Sequence, residues 1–92
     1  MDSLFPEIKI VPCESKKDAF ALINQISAFF EKNLYMRVSN YYALLELEPI
    51  PEEAYHYCWL SVSDFNFCRK DNLYYIQANE PVQIVDMGGN GR

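Results

Sequence analysis

The sequence predicts an α+β fold: one antiparallel sheet of four to six strands with a single helix packed on one face. Two observations lead to this prediction. Residues 19–30 carry apolar side chains at helical spacing, and the chain after residue 33 alternates apolar and polar side chains between turn-forming residues. Short connections favour antiparallel neighbours, so the predicted order is β-α-β-β-β-β. We expect residues 1–87 to form a single compact domain and residues 88–92 (GGNGR) a flexible tail.

The N-terminal third predicts a short strand followed by the helix. Ile8 and Ile10 alternate with charged residues, and Pro12 closes this strand. Ser15 is a suitable N-cap because its hydroxyl accepts hydrogen bonds from free N–H groups, and Asp18 favours the positive helix end. The apolar stripe predicted to face the sheet consists of Ala19, Leu22, Ile23, Ile26, Phe29 and Phe30.

The apolar side chains change from even to odd residue numbers within residues 34–47, and this change predicts a hairpin. Apolar side chains occupy even positions from Leu34 to Val38 and odd positions from Tyr41 to Leu47. A two-residue turn at Ser39-Asn40 accounts for the change, since Asn tolerates the positive φ that such turns require. A bulge within one long strand is the alternative explanation.

The rest of the chain predicts a connector and three strands. Residues 48–53 (EPIPEE) hold two prolines too close together for a central strand, so they form a connector. Residues 54–64, 73–78 and 82–87 are predicted strands. Polar clusters between them, RKDN and NEP, are predicted turns.

The strand predicted at residues 54–64 separates its side chains into two faces. The face expected to pack under the helix carries Ala54, His56, Cys58, Leu60 and Val62. The opposite face carries Tyr55, Tyr57 and Trp59, joined by Tyr42 and Tyr74 from neighbouring strands. Because one helix covers only one face, we expect these five aromatic residues to form a protein-binding surface. The alternative is that the rings pack on one another across strands.

A cluster of acids flanks the proline connector. Glu46, Glu48, Glu52 and Glu53 lie within eight residues of one another in LELEPIPEE. They either form a solvated acidic face or contact a basic surface of a partner, where such charges accelerate association. We expect the second role.

Composition argues against nucleic acid, membrane and disulfides. The formal net charge is −5, whereas binding of nucleic acid draws its strength from Lys and Arg. No apolar run approaches the roughly 20 residues of a membrane helix, and the N-terminus lacks a signal-peptide pattern. The three cysteines are an odd number, which favours a cytoplasmic location.

Catalytic, metal and cofactor sites are not predicted. No glycine precedes residue 88, so the chain has no phosphate-binding glycine loop. His56 and Cys58 could act as zinc ligands or as a reactive pair, but no further ligands stand at metal-binding spacing. The acidic surroundings also lack the positive charge that activates a thiol.

We therefore expect a non-enzymatic interaction protein. It would dock on a protein partner, or on a second copy of itself as a homodimer, through the aromatic face. In composition alone the chain is similar to small acidic inhibitors, antitoxins, immunity proteins and phage-encoded anti-host proteins. The alternative is a small enzyme or ligand-sensing domain that uses His56 and Cys58 in a pocket between helix and sheet.

Overall fold

Residues 4–84 are described by the structure, a computed structural model, and they form an α+β fold as the sequence predicts. The tail expected at residues 88–92 lies outside the described residues. The helices are α1 (Pro6–Lys9), α2 (Lys16–Lys32) and α3 (Val38–Leu44), with short 3₁₀ helices at Glu52–Tyr55 and Val62–Asp64. The strands are β1 (Ile10–Cys13), β2 (Met36–Arg37), β3 (Tyr57–Trp59), β4 (Phe65–Lys70), β5 (Leu73–Ala78) and β6 (Val82–Gln83).

The strands form two small sheets, where the sequence predicted one. The first sheet has the order β1-β5-β4 and the second has the order β2-β3-β6, all antiparallel. The expected sheet of four to six strands with a single helix is therefore wrong in detail. The strands β2, β3 and β6 are only two or three residues long, and they pair with one another in the second sheet.

The principal helix, α2, is as predicted. The Ser15 hydroxyl accepts a hydrogen bond from the Asp18 backbone N–H at 3.1 Å, which caps the first turn. Ala19 and Ile26 are fully buried, and the other members of the predicted apolar stripe pack against the same core. The local signals of cap and periodicity agree here with the tertiary contacts.

The predicted hairpin at Ser39-Asn40 is wrong, because residues 38–44 form the helix α3. The Asn40 side chain does not serve a turn. Its Oδ1 accepts a hydrogen bond from the Arg37 backbone N–H at 3.0 Å and so holds the start of the helix. The helix places Tyr41 and Tyr42 on its buried side.

The first strand begins later than predicted. Residues 6–9 form α1, with Pro6 in the first turn, where its missing N–H is not needed. Ile8 is buried in this helix, and the strand β1 then runs through Pro12. Pro12 is tolerated because β1 lies at the edge of its sheet and needs partners on one side only.

The strand predicted at residues 54–64 is reduced to the three residues of β3. The 3₁₀ helices on both sides interrupt the alternation of side chains between two faces, so an even or odd residue number no longer indicates which side chain is buried. Ala54, Cys58 and Trp59 are all buried, although the sequence placed Trp59 on the opposite face. Two residues predicted to be core, His56 and Leu60, are exposed, and Val62 is only half-buried.

The core joins both sheets through an aromatic cluster. The ring of Trp59 lies 5.4 Å from that of Tyr41 and 4.8 Å from that of Phe65, with edge-to-face geometry in both pairs. The indole N–H donates to the Asn79 carbonyl at 2.7 Å, so burial leaves no polar atom of this side chain unpaired. Such aromatic pairs stabilise beyond their buried area.

Candidate functional site

The expected aromatic surface does not form. Trp59 and Tyr42 lie in the core, only 2% and 0% exposed, so their predicted position on an uncovered face is wrong. Tyr57 is half-buried against Phe5, with ring centroids 5.6 Å apart. Of the three aromatic residues predicted on that face of residues 54–64, Tyr55 alone is exposed, at 47%.

Tyr74 also points towards the core rather than away from it. It stacks on Phe67 at 6.0 Å, on the side of the first sheet that α2 covers. The opposite side of this sheet carries Ile10, Leu73 and Tyr75, all partly or largely exposed. The uncovered face that the sequence predicted thus exists on a different sheet, and it consists of different residues.

Four glutamates and one tyrosine share an exposed segment between α3 and β3. Glu46, Glu48, Glu52, Glu53 and Tyr55 are all exposed, and we call residues 46–55 the acidic connector. The predicted acids and one of the five predicted aromatic residues are therefore exposed along the same segment, and Glu48 and Tyr55 line a common depression. Ala54 is fully buried within the same segment and anchors its end to the core.

A surface depression lies within the acidic connector. It has a volume of about 600 Å³ and is lined by Glu48, Pro49, Ile50 and Tyr55, with the Glu48–Pro49 peptide bond in the cis form. The apolar surfaces of Pro49, Ile50 and Tyr55 thus lie beside the exposed Glu48 carboxylate. This combination fits a partner side chain with an aliphatic stem and a positive end, such as Lys or Arg.

The acidic connector begins at a glycine-like position occupied by Glu46. The Glu46 N–H donates to the Ala43 carbonyl at 3.1 Å and the Leu47 N–H to the Tyr42 carbonyl at 2.9 Å, the pattern of a Schellman C-cap. Glu46 has φ 59°, a conformation that glycine adopts at lower cost. Glu46 therefore occupies a position where backbone stability alone favours glycine.

Replacing Glu46 by glycine tests this reading. We expect Glu46→Gly to raise the free energy of unfolding by about 0.5–1 kcal/mol, because the left-handed conformation then carries no Cβ penalty. Urea denaturation measures the change. Glu46→Ala is the control, since it removes the charge and keeps the Cβ. Equal stabilisation by both variants would attribute the effect to charge repulsion within the connector.

His56 and Cys58 are placed in different environments. His56 is exposed, whereas Cys58 is 1% exposed. Burial raises the pKa of the Cys58 thiol, with Arg37 opposing the shift and Asp64 adding to it. A buried thiol with a raised pKa is a poor nucleophile. Within residues 4–84, no three His, Cys, Asp or Glu side chains are grouped closely enough to hold a metal ion.

A second depression was not anticipated from the sequence. It lies at the C-terminal end of α2 and is lined by Phe29, Lys32, Asn33, Leu34, Tyr35, Arg37 and Asn40. The Arg37 guanidinium lies 5.9 Å from the Tyr35 ring, and Leu34 is 91% exposed. Sequence analysis missed this place because it assigned Leu34 to the buried face of a hairpin.

Two buried tyrosine hydroxyls make the fold sensitive to high pH. The Tyr41 hydroxyl has no hydrogen-bond partner within the described part of the chain, and the Tyr42 hydroxyl interacts with the Glu7 carboxylate. Burial raises the pKa of both side chains well above the ordinary 10.0, and the Glu7 carboxylate adds to the shift for Tyr42. The folded protein therefore keeps two protons that the unfolded chain releases near pH 10.

Stability should fall as the pH rises above about 10, since Tyr41 and Tyr42 then lose their protons in the unfolded chain and keep them in the folded protein. We expect a slope of about 1.4 kcal/mol per pH unit for each of the two tyrosines. Denaturation at increasing pH measures it, and Tyr41→Phe or Tyr42→Phe should make the slope shallower. These variants separate the tyrosines from Cys13 and Cys58, whose pKa values burial also raises. An unchanged slope in both variants would contradict the assignment.

Comparison of the chain with protein families, with curated proteins and with solved structures found no match. Among residues 4–84, no helix combines the length and the apolar character that crossing a membrane requires.

Proposed function

We propose that this protein is a non-enzymatic interaction protein that binds a basic surface of another protein through the acidic connector. The observation that carries this proposal is the exposure of four glutamates in the acidic connector, one of which, Glu48, lines the depression together with Pro49, Ile50 and Tyr55. Half of the eight glutamates of the chain fall within these ten residues. A docking role through the aromatic face is not proposed, because Trp59 and Tyr42 are buried.

The charge pattern favours association with a positively charged partner. The net charge of −5 attracts a basic surface over a distance of about a Debye length, roughly 8 Å at physiological salt. Once the surfaces meet, Tyr55 and Ile50 supply apolar area that charged side chains alone do not. Tyrosine is common at such interfaces because its ring contacts apolar surface while its hydroxyl stays wet.

Glu46 gives this proposal a second support. A left-handed non-glycine residue persists where the surrounding structure or a function requires it, and such positions concentrate at binding sites. Glycine at residue 46 would relieve the backbone but remove a carboxylate from the connector. A contact between this carboxylate and the partner would account for a glutamate at this position.

The test uses two matched variants with the same change in charge. The first converts Glu46, Glu48, Glu52 and Glu53 to Gln. The second, the control, converts the four glutamates outside the connector, namely Glu7, Glu14, Glu31 and Glu80. Wild type and both variants serve as baits for partners in an extract of the source cell.

We expect one protein to be retained by the wild type and by the control but lost or weakened with the connector variant. With that protein purified, the connector variant should associate more slowly and with a weaker salt dependence, because exposed interface charges act mainly on the association rate. Equal rates for the two variants would contradict a role of the connector and leave its acids as solubilising charges.

The enzyme or ligand-sensor alternative predicts a different result. A site that uses Cys58 should react rapidly with a thiol reagent in the native protein, whereas a core cysteine reacts only on unfolding. Cys68, which is half-exposed, provides the internal reference in the same sample. Rapid native labelling of Cys58, located by mass spectrometry, would favour the alternative over the proposal.

A further inference from the structure

The strand β4 has an open hydrogen-bonding edge. It pairs with β5 along all six of its residues, and within residues 4–84 no strand lies on its other side. Alternate residues of an edge strand direct their N–H and C=O groups outward, where they can pair with another strand. The opposite edge, β1, is shorter and contains Pro12, which has no N–H to donate. β4 is therefore the better edge for adding a strand.

An aromatic pair lies beside this open edge. Phe67, near the middle of β4, contacts Phe20 of α2 with ring centroids 4.9 Å apart, and Phe20 remains 45% exposed. Phe67 itself is only half-buried. Because no neighbouring strand covers them on this side, both rings can be buried further by a chain that pairs with β4. Apolar area next to unpaired backbone groups is typical of a strand-addition site.

Opposite charges stand at the two ends of β4. Lys70 is its last residue, and Asp64 comes directly before it at the end of a 3₁₀ helix, with its carbonyl accepting a hydrogen bond from the Asn79 N–H at 2.8 Å. The Asp64 carboxylate also accepts hydrogen bonds from the Leu60 N–H and the Asn79 side-chain amide, which fix its position.

If two β4 strands pair antiparallel about Phe67, residues whose numbers sum to 134 lie opposite each other. Asp64 of one copy then faces Lys70 of the other, and Asn66 faces Cys68. Opposite charges directly across a ladder stabilise the pairing. A pairing centred on Cys68 would instead place Asn66 opposite Lys70 and leave Asp64 without a cation across the ladder.

We propose that the protein forms a two-fold symmetric dimer through β4, joining the two three-stranded sheets into one six-stranded sheet. The strand order across the dimer is β1-β5-β4-β4-β5-β1. Phe67 and Phe20 of both copies meet beside the two-fold axis, and an Asp64–Lys70 pair lies at each end. Such a self-complementary patch is what a two-fold interface requires. This surface is separate from the acidic connector, so it does not depend on the proposed function.

Sedimentation of the full chain over a wide concentration range tests the dimer. We expect Phe20→Lys and Lys70→Glu each to raise the dimer dissociation constant at least about tenfold, equivalent to about 1.4 kcal/mol. Phe20→Lys removes the apolar contact, and Lys70→Glu places like charges across the ladder from Asp64. Leu34→Lys and Lys32→Glu are the matched controls, with the same chemical changes at the other end of α2, and should leave the dimer unchanged.

A disulfide cross-link tests the register. Asn66→Cys places a new thiol opposite Cys68 of the second copy, so a mild oxidant that takes up two electrons and two protons should link the two chains. Asn66→Cys combined with Cys68→Ser should not cross-link, because residue 66 then has no thiol across from it.

Three results would overturn the proposal. The first is a wild-type chain that stays monomeric at every concentration. The second is a dimer that both Phe20→Lys and Lys70→Glu leave intact, which places the interface elsewhere. The third is cross-linking of Asn66→Cys no greater than that of its control. If circular dichroism shows that Phe20→Lys is unfolded, the dissociation constant of Lys70→Glu tests the interface instead, since Lys70 is exposed and outside the core.

Discussion

Trp59→Ala is expected to reduce the free energy of unfolding by about 3–5 kcal/mol, the range for truncating a large aromatic residue in a core. Trp59 is 2% exposed, contacts the rings of Tyr41 and Phe65, and donates its indole N–H to the Asn79 carbonyl. The substitution removes these contacts together and takes from the Asn79 carbonyl its indole donor. For a domain of this size the loss is a large part of the total stability.

Urea denaturation of wild type and variant measures this loss. The matched control is Tyr55→Ala, a truncation four residues away at a side chain that is 47% exposed. We expect the control to cost less than about 1 kcal/mol, as surface substitutions usually do. A cost for Trp59→Ala below about 1 kcal/mol, as small as that expected of the control, would contradict the burial of Trp59 in the core.

Asn40→Gly is expected to destabilise the protein by about 2 kcal/mol. About 1 kcal/mol comes from loss of the side-chain hydrogen bond to the Arg37 N–H, and a similar amount from placing glycine inside a helix. A hairpin turn at Ser39-Asn40 would give the opposite result, because glycine accepts positive φ more readily. The sign of the change therefore distinguishes helix α3 from a turn.

Asn40→Ala provides the control for this experiment. Alanine removes the hydrogen bond and favours the helix, so its cost should be smaller than that of glycine. In a hairpin turn alanine would be worse than glycine, since its Cβ resists positive φ. Stability greater for the glycine variant than for the alanine variant would contradict α3.

The sequence alone determined the elements whose signals are local. Ser15, the apolar stripe and Lys32 specify α2, because cap, periodicity and terminator all lie within 18 residues and agree. The strand β5 also lies where the apolar run at 73–78 predicted it, and Asp71 takes the positive φ that the tight turn before it needs. The strand β4 was not predicted, because residues 65–68 were left outside any strand and Arg69 and Lys70 were assigned to the turn. The exposure of the acidic connector follows from its prolines and charges.

Residues 38–44 fit two periods at once, so the sequence could not choose between them. The parity change predicts a hairpin, yet Val38, Tyr41, Tyr42 and Leu45 also stand at the helical spacing i, i+3, i+4, i+7. The structure adopts the helix because it buries Val38, Tyr41 and Tyr42 together. The Tyr41 ring packs on Trp59 and Phe65, and the Tyr42 ring lies 6.5 Å from that of Phe5. The helical spacing was therefore visible in the sequence, but the packing of these side chains in the core determined that a helix forms and not a hairpin.

Only the tertiary structure decided which aromatic residues are buried and which edges are open. Face assignment by parity requires a continuous strand, and the 3₁₀ helices that flank β3 interrupt it at residues 55 and 62. The open edge of β4 depends on sheet order, which no local pattern encodes. Burial is a property of contacts between distant segments, such as the hydrogen bond from Trp59 to Asn79, 20 residues away. Periodicity within one segment specifies its own faces, whereas the partner that covers each face is set by the rest of the chain.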